Sequence, residues 1–97
     1  MAHRVYRVID HPDLQEVLRT APAELLRVLS HRIYPLLRSD PTDIGKRWPI
    51  TWQPPWFVLR IEITEGVALL AYQVLEDELL VMTRYLLWTP TTLANSE

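Results

Sequence analysis

The chain has no cysteine and only two glycines among its 97 residues. The first absence excludes disulfides, thiolate nucleophiles and thiolate metal sites. The second leaves no glycine-rich loop to wrap a phosphate. No Gly-x-Ser-x-Gly elbow occurs either, so nucleotide hydrolysis and serine-hydrolase chemistry are disfavoured. No apolar run approaches the roughly 18 residues that cross a bilayer, and the opening Met-Ala-His-Arg-Val-Tyr lacks the long apolar segment of a secretory signal. A cytoplasmic address, with no membrane partner, is the default expectation. His3, His11 and His31 are scattered, without an acidic or histidine partner at ligand spacing, so neither a metal site nor another cofactor is expected.

Positive charge is also scarce where a nucleic-acid binder needs it. The formal net charge is −2, whereas phosphate affinity comes mainly from clustered Lys and Arg. The distribution is uneven: residues 1–52 carry eight Lys/Arg against six Asp/Glu, and residues 53–97 carry two against six. A local basic patch remains compatible with that total.

What is present is apolar and aromatic. The chain is 48% hydrophobic with four tryptophans, the composition of a folded core. A domain of this length buries about 60–65% of its unfolded surface. The simplest organisation is one domain over residues 1–88, followed by a polar tail over 89–97.

Three strands are expected between Trp56 and Trp88. In Trp56–Thr64 the residues Phe57, Leu59, Ile61 and Ile63 alternate with Val58, Arg60, Glu62 and Thr64, the pattern of a strand with one buried face. Glu65-Gly66 supplies a turn in which the glycine can take a positive φ, and Val67–Leu75 returns as the second strand. After a turn at Glu76-Asp77, Leu79–Trp88 is apolar on both faces apart from Thr83 and Arg84. Such a run is a central strand or is covered on both sides.

The first half reads differently. Arg4–Ile9 is β-branched and aromatic, and is expected to be a strand. Asp10 is placed to cap a helix with Pro12 in its first turn, and Leu14, Val17 and Leu18 form its apolar stripe. A second helix starts at Pro22. Leu25, Leu26, Leu29, Ile33, Leu36 and Leu37 recur on one face, with Arg27, His31 and Arg38 toward water. Pro35 is expected to kink this helix or to end its regular part near Tyr34. Ser39–Pro55 holds four of the eight prolines and is expected to be an irregular loop. The fold class is therefore α+β: strand, helix, helix, three-stranded antiparallel meander, with the helical hairpin packed on one face of a twisted sheet.

That order resembles the RelE/ParE toxin superfamily. The resemblance runs from about Val5 to Tyr85. It rests on the Leu-Leu-Arg-Ser-Asp-Pro41 helix ending, the aromatic-x-x-Arg strand from Phe57 to Arg60, the Gly66 turn, the Tyr72 strand and a terminal strand carrying Arg84. It implies a small bacterial toxin of a type II toxin–antitoxin pair, neutralised by an antitoxin. Its targets would be messenger RNA on the ribosome or gyrase, and an active member of the first branch would be a metal-independent endoribonuclease. On the matching positions, Arg60 and Arg84 would contact phosphate, with Lys46 or Arg47 as the basic loop residues near the scissile bond. Where the family usually carries a second arginine, this chain has Leu69 or Leu70.

Metal-free RNA cleavage removes a proton from a 2′-hydroxyl, neutralises charge on the phosphate and protonates the leaving oxygen. Arg60, Arg84, Lys46 and Tyr85 are the candidate catalytic residues, and Arg47, Arg60 and Arg84 the candidate anion-binding ones. The plainer reading pairs Arg60 with Glu62 or Glu76, and Arg84 with a neighbouring acid. Trp48, Trp52 and Trp56 are a lid over the core, or an interface for an antitoxin or a second copy of the chain. Two functions stay open: an RNA- or gyrase-directed toxin, and a non-catalytic protein-binding domain of the same fold.

Overall fold

The computed structural model describes residues 5–48 and 54–91. Trp52 and the tail beyond Thr91 lie outside the described residues. The elements in chain order are β1 (Arg7–Asp10), α1 (Pro12–Arg19), α2 (Ala23–Val28), a π turn (Leu29–Ile33), α3 (Tyr34–Ser39) and α4 (Pro41–Ile44). Then come β2 (Lys46–Arg47), β3 (Trp56–Ile63), β4 (Gly66–Leu75), a 3₁₀ turn (Glu76–Glu78) and β5 (Leu80–Pro90). They form a five-stranded mixed sheet in the order β1-β5-β4-β3-β2. β1 runs parallel to β5 and every other pair is antiparallel.

The meander is where the alternation places it. Phe57 and Ile61 of β3, Ala68, Leu70, Tyr72 and Val74 of β4, and Val81 and Leu86 of β5 are buried in one core with Leu14, Leu25, Leu29 and Leu37 of the helices. The helices cover one face of the sheet, so the odd positions of β4 remain on the uncovered face. β5 lies between β1 and β4, the central position its apolar sequence predicts, but it is covered on one face only.

Several local expectations are corrected. The segment Ser39–Pro55 is more ordered than an irregular loop: it contains α4 and the edge strand β2, registered Lys46 against Val58 and Arg47 against Phe57. Asp10 does not cap α1. His11 occupies that position and its Nδ1 accepts from the Asp13 amide at 3.1 Å. Asp10 instead ties three elements together: its carboxylate accepts from Tyr34 Oη at 2.7 Å and from Thr83 Oγ1. That bond satisfies the buried Thr83 hydroxyl. Burial, and then the bond to Asp10, raise the Tyr34 phenol above the usual tyrosine range.

Pro35 neither ends nor sharply interrupts the helix. The turn before it widens: the Tyr34 amide bonds back five residues to the Leu29 carbonyl, and regular helix resumes with Pro35 in its first turn. Proline lacks an N–H and its ring crowds the carbonyl four residues back, and a π turn relieves both. The inserted residue also shifts the helix phase. Leu25, Leu29 and Leu37 are buried, whereas Leu26 and Leu36 are 38% and 41% exposed.

Gly66 takes the expected positive φ, 159°, and is required for space as well. The turn residues are Thr64 and Glu65, and Gly66 opens β4 against Pro90. A Cβ there would lie 2.3 Å from the Thr89 carbonyl oxygen and 2.9 Å from Pro90 Cα, both of them backbone atoms with little room to yield.

Candidate functional site on the open sheet face

The uncovered face is built by strand register. Cross-strand partners share a face, so one row runs Ile9, Met82, Gln73, Trp56 from β1 to β3. A second runs Tyr85, Ala71, Val58, Lys46, and a third Leu87, Leu69, Arg60. Between the first two rows the ladder slips. Tyr72 pairs with Thr83 and Ala71 with Tyr85, leaving Arg84 as the extra residue of a β-bulge.

The bulge decides what this face contains. Strict alternation from the buried Thr83 would send Tyr85 into the core and Leu86 outward. One inserted residue reverses both: Tyr85 is 52% exposed and Leu86 only 8%. Arg84 and Tyr85 consequently stand together on the open side.

Arg84 is held without an acid. Its Nη1 donates to Gln73 Oε1 at 3.3 Å and, weakly, to Met82 Sδ at 3.8 Å. Its guanidinium carbon lies 5.5 Å from the Trp56 ring centroid and 5.9 Å from that of Tyr85. The two rings stack at 5.8 Å with 12° between their planes. Its buried Nε has no hydrogen-bond partner among the described residues. The acidic partner that the plainer reading expected is therefore missing among the described residues, and the positive charge is balanced only by dipoles and ring faces.

The other candidates are placed less uniformly. Lys46 shares the row of Tyr85 at the sheet edge and is exposed. Arg47, one residue on, shares the side of Phe57, so β2 sends the two cations to opposite faces. Arg60 is on the open face, and its Nε lies 3.6 Å from Glu62 Oε2, with both side chains largely exposed. This is the ion pair the plainer reading describes. Trp56 belongs to the Arg84 cluster. Trp48 is joined to Trp56 through the backbone, its amide donating to the Trp56 carbonyl at 2.9 Å, and it borders an edge hollow of about 710 Å³ lined also with Ile44, Lys46, Arg47, Val58, Leu59 and Arg60.

The segment carrying Lys46 is anchored from below. Tyr72, fully buried, donates its hydroxyl to the Pro41 carbonyl at 2.6 Å and stacks on Phe57. Gly45 passes so close that a Cβ would lie 2.1 Å from the Tyr72 hydroxyl oxygen. Gln73 and Met82 are the contacts that sequence reasoning missed. Gln73 carried a signal, as the one amide in an apolar strand, but the bulge carried none, since no glycine marks it.

Chemically, the face offers a fixed guanidinium, an exposed phenol next to it, and an ammonium in the same row. A fixed cation beside a stacked aromatic pair suits a ligand with both negative charge and a π face.

The fold is that of RelE-like toxins, helices on one face of a mixed sheet whose other face is open. The toxin–antitoxin complex RelBE2 from Mycobacterium tuberculosis is similar with a TM-score of 0.72 at 16% identity, over 88% of this chain and 92% of that one. The intact Escherichia coli RelBE toxin–antitoxin complex is similar with 0.63 at 16% identity, over 84% and 93%. The isolated E. coli RelE toxin is similar with 0.62 at 17% identity, over 84% and 81%. No protein-family model and no curated protein sequence matches the chain. No helix among the described residues is long and apolar enough to cross a membrane.

Proposed function

We propose that this chain is the toxin of a type II toxin–antitoxin pair, that its open face binds RNA, and that an antitoxin protein neutralises it by covering that face. The observation that carries this reading is Arg84, a cation without an acidic partner among the described residues, set beside the stacked pair of Trp56 and Tyr85 on an uncovered sheet face. A phosphate would complete the guanidinium's hydrogen bonding, and a base would stack on the exposed ring of Tyr85. In a cleavage reaction on ribosome-bound messenger RNA, Arg84 would stabilise the phosphate, with Arg60 assisting once drawn from Glu62. Tyr85 and Lys46 would transfer protons. Arg47, on the opposite side of β2, would serve binding at the edge rather than chemistry.

A second reading has its own support. Leu69 and Leu87 are exposed beside Arg60, and Arg60 is already paired, so part of this face suits a protein surface better than a phosphate chain. Gyrase as target, or a purely protein-binding domain, would use that part. The site in either case is the same face, with Trp48 at its edge.

Induced expression in a bacterium separates the readings. Growth arrest with shortened messages, both abolished by Arg84→Ala, supports RNA cleavage. Arrest with intact messages and altered DNA supercoiling supports gyrase. Unimpaired growth with intact messages overturns the toxin reading and leaves the protein-binding domain. Dimerisation, by analogy with neither complex, is read from the sedimentation of the purified chain.

A further inference from the structure

Met82 sits beside Arg84 on the open face, and its thioether is the weaker of the guanidinium's two side-chain acceptors. Its sulfur lies 3.8 Å from Arg84 Nη1, against 3.3 Å for the Gln73 amide oxygen. The side chain is half-buried in the row between Ile9 and Gln73, on the uncovered side of the sheet. Arg84 is short of acceptors, since its buried Nε has none among the described residues.

We propose that Met82 is a redox-modification site that switches the anion-binding capacity of Arg84. The proposal rests on the reading of this face as an RNA site. With hydrogen peroxide as oxidant, a sulfur lone pair attacks one peroxide oxygen: an S–O bond forms and the O–O bond breaks. The sulfur is oxidised by two electrons and the peroxide reduced. The departing hydroxide takes the proton left on the new oxygen, giving methionine sulfoxide and water. The reaction converts a feeble acceptor into a strong one. An S=O directed at Nη1 brings its oxygen within hydrogen-bond range of the guanidinium and occupies donors that a phosphate would otherwise take. It also sets a polar group in the row from which Gln73 and Trp56 hold Arg84. A thiol-dependent methionine sulfoxide reductase reverses the change.

The decisive experiment measures binding of a short fluorescein-labelled single-stranded RNA to the full chain by anisotropy. The protein is compared reduced, after mild peroxide, and after reductase, with peptide mass spectrometry locating the added oxygen. Expected is an oxygen on Met82 and an RNA Kd raised about tenfold, the scale of one charge-assisted hydrogen bond, with recovery after reductase. Met82→Leu, whatever its starting affinity, should not change with peroxide. Equal binding by reduced and Met82-oxidised protein overturns the switch while leaving the RNA reading in place. A peroxide effect that persists in Met82→Leu also overturns it, by assigning the effect elsewhere. No RNA binding by the reduced protein overturns the RNA reading and the switch together.

Discussion

The hydroxyl of Tyr72 donates to the carbonyl of Pro41 at 2.6 Å, fastening α4 and β2 to the middle of the sheet. Its removal leaves a buried carbonyl oxygen without its donor. Tyr72→Phe keeps the stacking on Phe57 and should cost about 1–3 kcal/mol, read as a lower midpoint in urea. Unchanged stability would mean that water or backbone movement replaces the bond.

Gly45 tests the same contact from the other side. Gly45→Ala forces a methyl group into the Tyr72 phenol, with Cβ 2.1 Å from Oη and 2.9 Å from Cζ, an overpacking cost of about 1–3 kcal/mol. Combining it with Tyr72→Phe removes the oxygen it strikes first. The double variant should therefore lose less than the sum of the singles, by at least about 0.5 kcal/mol in a double-mutant cycle. Strict additivity would show that the two residues do not share one space.

Arg60 and Arg84 should separate function from stability. The Arg60–Glu62 pair is exposed, so Arg60→Ala should change stability by no more than about 0.5 kcal/mol. A loss of toxicity in that variant would then report ligand contact. Arg84→Lys is the sharper substitution. Lysine keeps the charge but loses the planar fork that lies against Trp56 and donates to Gln73, so growth arrest should be lost almost as fully as in Arg84→Ala. Full activity of the lysine variant would reduce the role of Arg84 to charge alone.

Alkali should unfold the protein through two tyrosines. Burial raises the phenols of both Tyr34 and Tyr72, and at Tyr34 the Asp10 carboxylate adds to it. A folded-state pKa above the unfolded value means that the stabilisation is complete below the ordinary tyrosine pKa of about 10 and is lost as pH rises beyond it. Urea midpoints measured upward from pH 9 should fall, and Tyr34→Phe should flatten the fall. An unchanged slope in Tyr34→Phe would remove Tyr34 from this account.

Much of the architecture is written in local patterns. The alternation of Phe57, Leu59, Ile61 and Ile63 determined the buried face of β3, because a pleated strand has period two and only one register puts all four in a core. The apolar run at Leu79–Trp88 determined a central strand, and Pro12 marked the first turn of α1. The resemblance to RelE/ParE toxins rested on the order of these elements, and order survives at identities where single motifs do not.

The site was decided by tertiary structure. Arg84 stands out in the sequence as a charge in an apolar strand, but nothing there reveals the bulge that turns Tyr85 outward, because slipping a ladder depends on how β4 and β5 are paired. Lys46 and Arg47 look like one basic pair and face opposite ways, since two residues of edge strand form only when β3 offers its free edge. Gly66 has the positive φ its turn position suggests, but the close backbone approach of Thr89 and Pro90, more than twenty positions away, is not visible in the sequence. Sequence determines which residues prefer a face; only the packed sheet determines which of them meet, because a meeting depends on two segments and on the register between them.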